Sequence, residues 1–432
     1  MAQFSTTRNS LLNNNDDLYE VVMVSGQAGP SIYVPAGNLN SASDAFGRLR
    51  VSHPHTLFDN SFRYDIASEK WREKYNGTGS IAHNANEGLV DITIGTADGD
   101  EVIRETSKVF QYQPGKSLLT LNTFVMGTPK TNVRMRVGYF GVNDGIFFER
   151  AGTENKLVLR SSVTGSPVDT AISQADWNID SLDGTGPSGV VLNSSKAQIF
   201  WTDIEWLGVG SVRAGFVING QFVCCHIFHH ANTITTTYMR TATLPIRYEV
   251  TNTGASTGAT LKQICSSVVS EGGYTPLSLT RSASTDLTGK NVSDSAYTPL
   301  ISLRLKPNRT DAVVVPSRAE VYGLQQAAFK YALIKRPVLT GASWVNLDSS
   351  SSVQYDISAT DLSNGQIVAE GFFVGDTKGG AEAVDLAGFN STLQLTRGII
   401  EADSAGEIFT LAALATTNND DAVGSMTWQE HT

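Results

Sequence analysis

Phe216-Val217-Ile218-Asn219-Gly220-Gln221-Phe222-Val223 constrains the fold of this chain more than any other stretch. An Asn-Gly pair between two runs of alternating apolar residues is the preferred two-residue hairpin turn, so the flanking runs must pair as antiparallel strands. The same texture extends on both sides. Between residues 44 and 272 lie LVDITIG, SLLTLNTFVMG, NVRMRVGYFG, GIFFERA, KLVLRSS, AQIFWTDIEWLG, LPIRYEVTN and TLKQICSSVVS, each bounded by Gly, Pro, Asn or Asp. The one helix-compatible piece runs from Asp65 to Tyr75, with Trp71 and Tyr75 four apart and Gly77 and Gly79 close behind.

A long series of short strands without alternating helices predicts an all-β chain whose main body is a two-sheet sandwich of jelly-roll type. After SSVVSEGGYTPLS the texture resets. A second series follows, including PLISLRLKP, DAVVVPSRAEVYGL, AAFKYALIKRPVL, QIVAEGFFVG and EIFTLAALATT. The expected organisation is therefore an extended N-terminal arm over 1–43, a large sandwich over 44–272 and a smaller β-sandwich over 273–432. At 432 residues the chain exceeds what one core usually organises. The arm holds one apolar run, Leu18 to Val24, too little for a fold of its own. Such a run is a strand in need of a partner edge, which predicts docking on a neighbouring subunit or another protein.

Charge and cysteine usage exclude several classes. The net charge of −10 and the absence of a Lys/Arg cluster argue against sequence-independent nucleic-acid binding, which needs phosphate neutralisation. No apolar run reaches the roughly 18 residues of a membrane span, and the first residues lack the apolar core of a signal peptide, so synthesis and folding in a cytoplasm are expected. The 3 Cys fit that compartment, since Cys224 and Cys225 are adjacent and Cys265 is alone.

Ser43 to Asp59, SDAFGRLRVSHPHTLFD, closes the arm and opens the body. Arg48 and Arg50 alternate with Leu49 and Val51, and Pro54 ends the run, which describes a short strand with one basic face. The string DAFGRLRVS, followed by Pro54 and TLFD, resembles a segment found in structural proteins of tailed-phage virions. GVNDGIFFER, WTDIEWLGVGSVRAGFVINGQFV and LPIRYEV resemble, more loosely, strands of the same family's jelly-roll body. The resemblance implies a concanavalin-like jelly roll, a place in the virion after assembly in the host cytoplasm, and partners among the capsid or tail proteins. It assigns virion anchoring to Asp44, Phe46, Gly47, Arg48, Arg50, Pro54, Phe58 and Asp59. Exposed sheet edges and the arm together predict a symmetric homo-oligomer, with a trimer favoured by analogy with phage fibres and decorations.

Three constellations could carry chemistry. Trp201, Asp203 and Glu205 alternate in FWTDIEW, so on a continuous strand an indole and two carboxylates share a face, as in the sugar cleft of jelly-roll glycoside hydrolases. Those enzymes have a third carboxylate on the same strand, where this chain has Leu207 and Gly208. Phe200, Ile204 and Trp206 are expected on the opposite face. The second constellation, Cys224-Cys225-His226-Ile227-Phe228-His229-His230, would place Cys224, His226 and His230 together by strict alternation. A strand supplies at most two metal ligands at that spacing, and no zinc motif accompanies them, so a sheet-face cluster is expected and no metal. For the third, a nucleophilic centre, no G-x-S-x-G elbow occurs, and GTGPSGVV lacks the ending of a phosphate cradle. The expectation is a non-enzymatic structural protein without cofactors. The alternative is an adhesin that holds a host-surface glycan through Trp201, Asp203 and Glu205, and more remotely a polysaccharide depolymerase.

Overall fold

A computed structural model describes residues 53–431 apart from 276, 310, 376–380, 386–392, 398–399, 401–405 and 418–419. The expected arm, and the anchoring residues Asp44, Phe46, Gly47, Arg48 and Arg50, lie outside the described residues. Among the described residues the body is all-β, as expected, apart from one single-turn 3-10 segment, Gln174–Asp176.

In chain order the first sandwich contains β1 (His55–Ser61), β2 (Trp71–Asn76), β3 (Gly79–Asn84), β4 (Leu89–Ile94) and β5 (Glu101–Thr106). Next come β6 (Leu118–Val125), β7 (Val133–Phe140), β8 (Gly145–Ala151), β9 (Glu154–Ser161) and β10 (Val168–Ser173). The series ends with β11 (Ala197–Ile204), β12 (Val212–Ile218), β13 (Gln221–Phe228), β14 (Ile246–Asn252) and β15 (Ala259–Ser270). One sheet has the order β13-β12-β11-β6-β15-β4-β3, with β1 added on β15, and the other β10-β9-β8-β7-β14-β5-β2. The long β15 is shared along one edge: Ala259 to Gln263 pair with β4, and Cys265 to Ser270 pair with β1.

The alternation visible in the sequence is the cause of this packing. Along β6 buried and half-buried residues alternate without exception, which puts one face of the strand in the core. Between the sheets Phe148 lies 5.2 Å from Phe216 and 6.0 Å from both Phe124 and Phe200, ring centre to ring centre, so four aromatic residues from four strands fill the centre. The β12–β13 hairpin turns through Asn219 at φ 52° and Gly220 at φ 78°, as the Asn-Gly pair predicts.

The helix-compatible stretch from Asp65 to Tyr75 is not helical. Asp65 closes a turn by accepting from the Ala67 N–H at 2.7 Å, and Trp71 then starts β2 along β5. Trp71 is buried beside Phe58 and Tyr248, whereas Tyr75 is 45% exposed. A four-residue spacing suits one helix face and, equally, one strand face; here the pairing with β5 and the core site for Trp71 select the strand.

The second sandwich begins at Leu279–Ser284. It consists of a five-stranded sheet around Val313–Gly323 and Asp420–His431, a six-stranded sheet around Thr298–Leu305 and Phe409–Ala415, and a two-stranded ribbon. Its own core is centred on Trp428, Leu303, Leu411 and Phe329, separate from the core of the first sandwich. Both sandwiches belong to one compact unit, Pro54–Thr432.

Candidate functional site

β11 lies between β6 and β12, and its inward residues are Phe200, Thr202 and Ile204; the Thr202 hydroxyl meets that of Thr120 at 2.6 Å. Trp201 and Asp203 face outward, as alternation predicts. Asp203 stands directly across from Arg213 on β12 and forms an ion pair with it. Glu205 is not on the strand. β11 ends at Ile204, and the chain turns through Leu207 at φ 37° and Gly208 at φ 78°, while the Glu205 N–H donates to the Ser211 carbonyl at 3.1 Å. Trp206 also leaves the strand, packs edge-on against Tyr112 and donates its indole N–H to the Met239 carbonyl at 3.3 Å. The sequence expectation of three residues on one strand face is thus corrected by the early end of β11.

Asp203 and Glu205 still meet in a cleft of about 490 Å³ that also receives Lys116, Ser211, Arg213 and His229. Trp201 does not line it. Its ring is buried against Phe222 at 5.5 Å, so it offers no open face for a sugar.

The Cys/His run is split by a bulge. Gly215 pairs with Cys224 and Ala214 with His226, which leaves Cys225 unpaired and turned into the core. Burial pushes the Cys225 thiol up and His226 down, and His226 Nδ1 accepts from the Asn178 N–H at 3.2 Å. His230 stacks on Tyr238 at 4.0 Å and bonds the Gly210 carbonyl at 2.7 Å through Nδ1, while His229 faces the Asp203 cleft. Strict alternation would have grouped Cys224, His226 and His230; the bulge separates them.

Of the anchoring segment, the described part is built into the body. Pro54 is exposed, Phe58 is buried between Trp71 and Phe110, and Asp59 is exposed with its carbonyl accepting from Lys70 Nζ at 3.1 Å.

Two arrangements escaped the reading of the sequence. The first is an ionic layer on the outer face of the β10-β9-β8-β7-β14-β5-β2 sheet. Arg136 on β7 donates to Glu149 on β8 at 2.7 Å and to Glu249 on β14 at 3.3 Å; Arg160 on β9 clamps Asp169 on β10 at 2.7 and 2.9 Å. Arg247 on β14 donates to Glu105 on β5 at 3.0 Å. The guanidinium groups lie over buried rings, Arg136 at 5.0 Å and Arg160 at 5.3 Å from Phe147, and Arg247 at 5.5 Å from Phe140. Burial alone would raise the Glu249 carboxyl, but Arg136, Arg247 and Arg134 outweigh it and hold it below its usual range. Every carboxylate in this layer has an arginine partner, so the layer is suited to holding strands together and unsuited to proton transfer. The period-two charges in NVRMRVGYF and LPIRYEV were its signal.

The layer continues into the second sandwich. Arg397 pairs with Glu105, and Glu407 pairs with Arg72 on β2 and with Arg336. Beside this junction is the second arrangement, a cleft of about 490 Å³ between the sandwiches, with His55, Lys108 and Tyr274 on one side and Gln394, Gln429 and His431 on the other.

No protein-family model matches the chain, and no curated protein matches it. Solved structures similar to it include a glycoside hydrolase family 16 endo-glucanase from Bacteroides ovatus, at 9% identity over 49% of this chain and 99% of that one, with a TM-score of 0.33. A protein of unknown function from Shewanella oneidensis is 10% identical over 58% of this chain and 100% of that one, TM-score 0.36. A Bacillus licheniformis beta-glucanase is 10% identical over 51% of this chain and 99% of that one, TM-score 0.32.

Proposed function

We propose that this chain is a non-enzymatic structural component of a tailed-phage virion, a capsid decoration, head-fibre or tail-appendage protein that acts through assembly contacts. The observation that carries this reading is the placement of β1. The segment DAFGRLRVSHPHTLFD resembles one from virion proteins, and its described end is a strand locked to β15 with Phe58 in the core. A strand held in this way ties the residues before it to the body. Those residues include the Leu18 to Val24 run and the basic pair Arg48 and Arg50, whose chemistry suits a partner's sheet edge and an acidic surface.

The Asp203 face supports the same reading. Its carboxylate is paired with Arg213, and Glu205 stands off the strand, so β11 does not present the two carboxylates side by side on one face. Among the described residues β15 is the only strand that β1 pairs with. That free edge favours a homo-oligomer, a trimer by analogy with phage fibres.

The test is deletion of residues 2–42. The body should remain soluble and fail to incorporate into particles, and wild-type incorporation would refute the proposal. Native mass measurement of the full chain should give an oligomer, and a 46.4 kDa species alone at micromolar concentration would remove that part of it.

A further inference from the structure

The cleft between the sandwiches combines an apolar floor, aromatic rings and polar groups. Its floor is apolar, formed by Val109 of the first sandwich against Val313 and Val315 of the second, all buried. The volume of about 490 Å³ lies inside the range of small-ligand sites. Three rings stand along it: His55 is stacked on Tyr274 at 5.5 Å and 18°, and Tyr274 lies 6.4 Å from His431. Aromatic faces carry partial negative charge and accept the polarised C–H groups of a pyranose ring.

Several polar groups line the cleft. His431 is buried, and its Nδ1 has no hydrogen-bond partner among the described residues. The Gln429 amide also lines the cleft. By contrast Gln111 and Gln394 are held in place, Gln111 by the Tyr274 hydroxyl at 2.8 Å and Gln394 by the Val109 carbonyl at 3.2 Å, so each keeps part of its amide for a ligand. Fixed planar amides beside an aromatic ring suit a sugar's hydroxyl groups.

The charge of the site is one-sided. Lys108 lines the cleft without a carboxylate partner among the described residues, and burial, followed by the nearby Lys335 and Lys70, pushes its ammonium down to about 8. A partly buried cation without a counter-charge is favoured by an incoming anion.

We propose that this cleft binds a short acidic saccharide, its pyranose face on Tyr274, a hydroxyl group at His431 Nδ1 and its carboxylate at Lys108. The inference stands apart from the assembly role, because it concerns residues 55 to 431 and not the arm.

Calorimetric titration of the purified full chain with trigalacturonate, maltotriose and inorganic phosphate tests it. Trigalacturonate should bind with a Kd on the order of 0.1 to 1 mM, at least about tenfold tighter than maltotriose, because the neutral sugar leaves Lys108 uncompensated. Lys108→Met should erase that preference, and Tyr274→Ala should abolish binding. Near-UV circular dichroism verifies the fold of each variant, and Lys108→Met, which removes an uncompensated charge, keeps the test valid if Tyr274→Ala misfolds. Three results would each overturn the proposal: no heat with trigalacturonate, phosphate binding as tightly as the saccharide, or a preference unchanged in Lys108→Met. None of them touches incorporation of the chain into particles, which is read on the arm deletion.

Discussion

Glu105 of the first sandwich accepts from Arg397 of the second through Oε1 and from Arg247 of its own sheet through Oε2, at 3.0 Å in the latter case. All three side chains are buried, so one carboxylate bridges two guanidinium groups across the junction. Glu105→Gln keeps the shape and removes the charge, leaving Arg397 without a carboxylate partner among the described residues and Arg247 with only Glu249, 3.8 Å away. The expected loss is about 3 to 5 kcal/mol. In urea, followed by tryptophan fluorescence, the variant should unfold in two steps where the wild type shows one, because the contact joins two separate cores. A single transition at the wild-type midpoint would mean the junction is held elsewhere.

Lys108 predicts a pH dependence of stability. The folded ammonium releases its proton near 8, below the ordinary lysine value of 10.5 that the unfolded chain shows. Between these values the unfolded state binds more protons, so stability rises with pH. Below about pH 8 both states are protonated and the full penalty of burying the charge applies; above about 10.5 both are neutral and it is gone. Lys108→Met should therefore be more stable than wild type at pH 7 by on the order of 2 kcal/mol, allowing for partial exposure of the side chain. The gap should close as pH rises from 8 to 10.5. Urea midpoints of both proteins across that range measure it, and a constant gap would contradict the assignment.

The Asp203 cleft is predicted to be inert toward polysaccharide. Wild type and an Asp203→Asn, Glu205→Gln double variant should release equal background amounts of reducing ends from host-envelope polysaccharide. Cleavage by the wild type that the variant loses would make the cleft catalytic. Since Arg213 is largely exposed, its lost partner should cost no more than about 1 kcal/mol.

Gly220 separates backbone strain from packing. A Cβ there meets no atom within 4 Å, yet φ is 78°. Gly220→Ala should cost about 1 to 2 kcal/mol through the left-handed conformation alone. At Gly215 an added Cβ would lie 2.0 Å from the Val223 carbonyl oxygen, so Gly215→Ala should be the more damaging of the two by thermal melting.

Strands and turns were legible where alternation and turn chemistry agree, as at Asn219-Gly220 and along β6. Two local irregularities were not. The end of β11 at Ile204 and the bulge at Cys225 each break a period of two, and both are set by the partner strand, which a linear reading does not contain. The ionic layer was legible in principle, because Arg134, Arg136, Arg247 and Glu249 sit at alternate positions of their strands. What hid it is that each strand looks half-solvated by itself, and only their adjacency pairs the charges. The inter-sandwich cleft had no local signal, since His55, Lys108, Tyr274 and His431 come from four distant stretches.

The β1–β15 pairing has a mechanical consequence. His55, where the N-terminal residues join the body, is the direct partner of Ser270, where the chain departs for the second sandwich. Tension applied between those two exits would load the ladder from one end, so its hydrogen bonds would open in succession, as a zip opens, instead of sharing the load in shear. The stacked rings of His55 and Tyr274 lie at the mouth of that fork and would be the first contact to part.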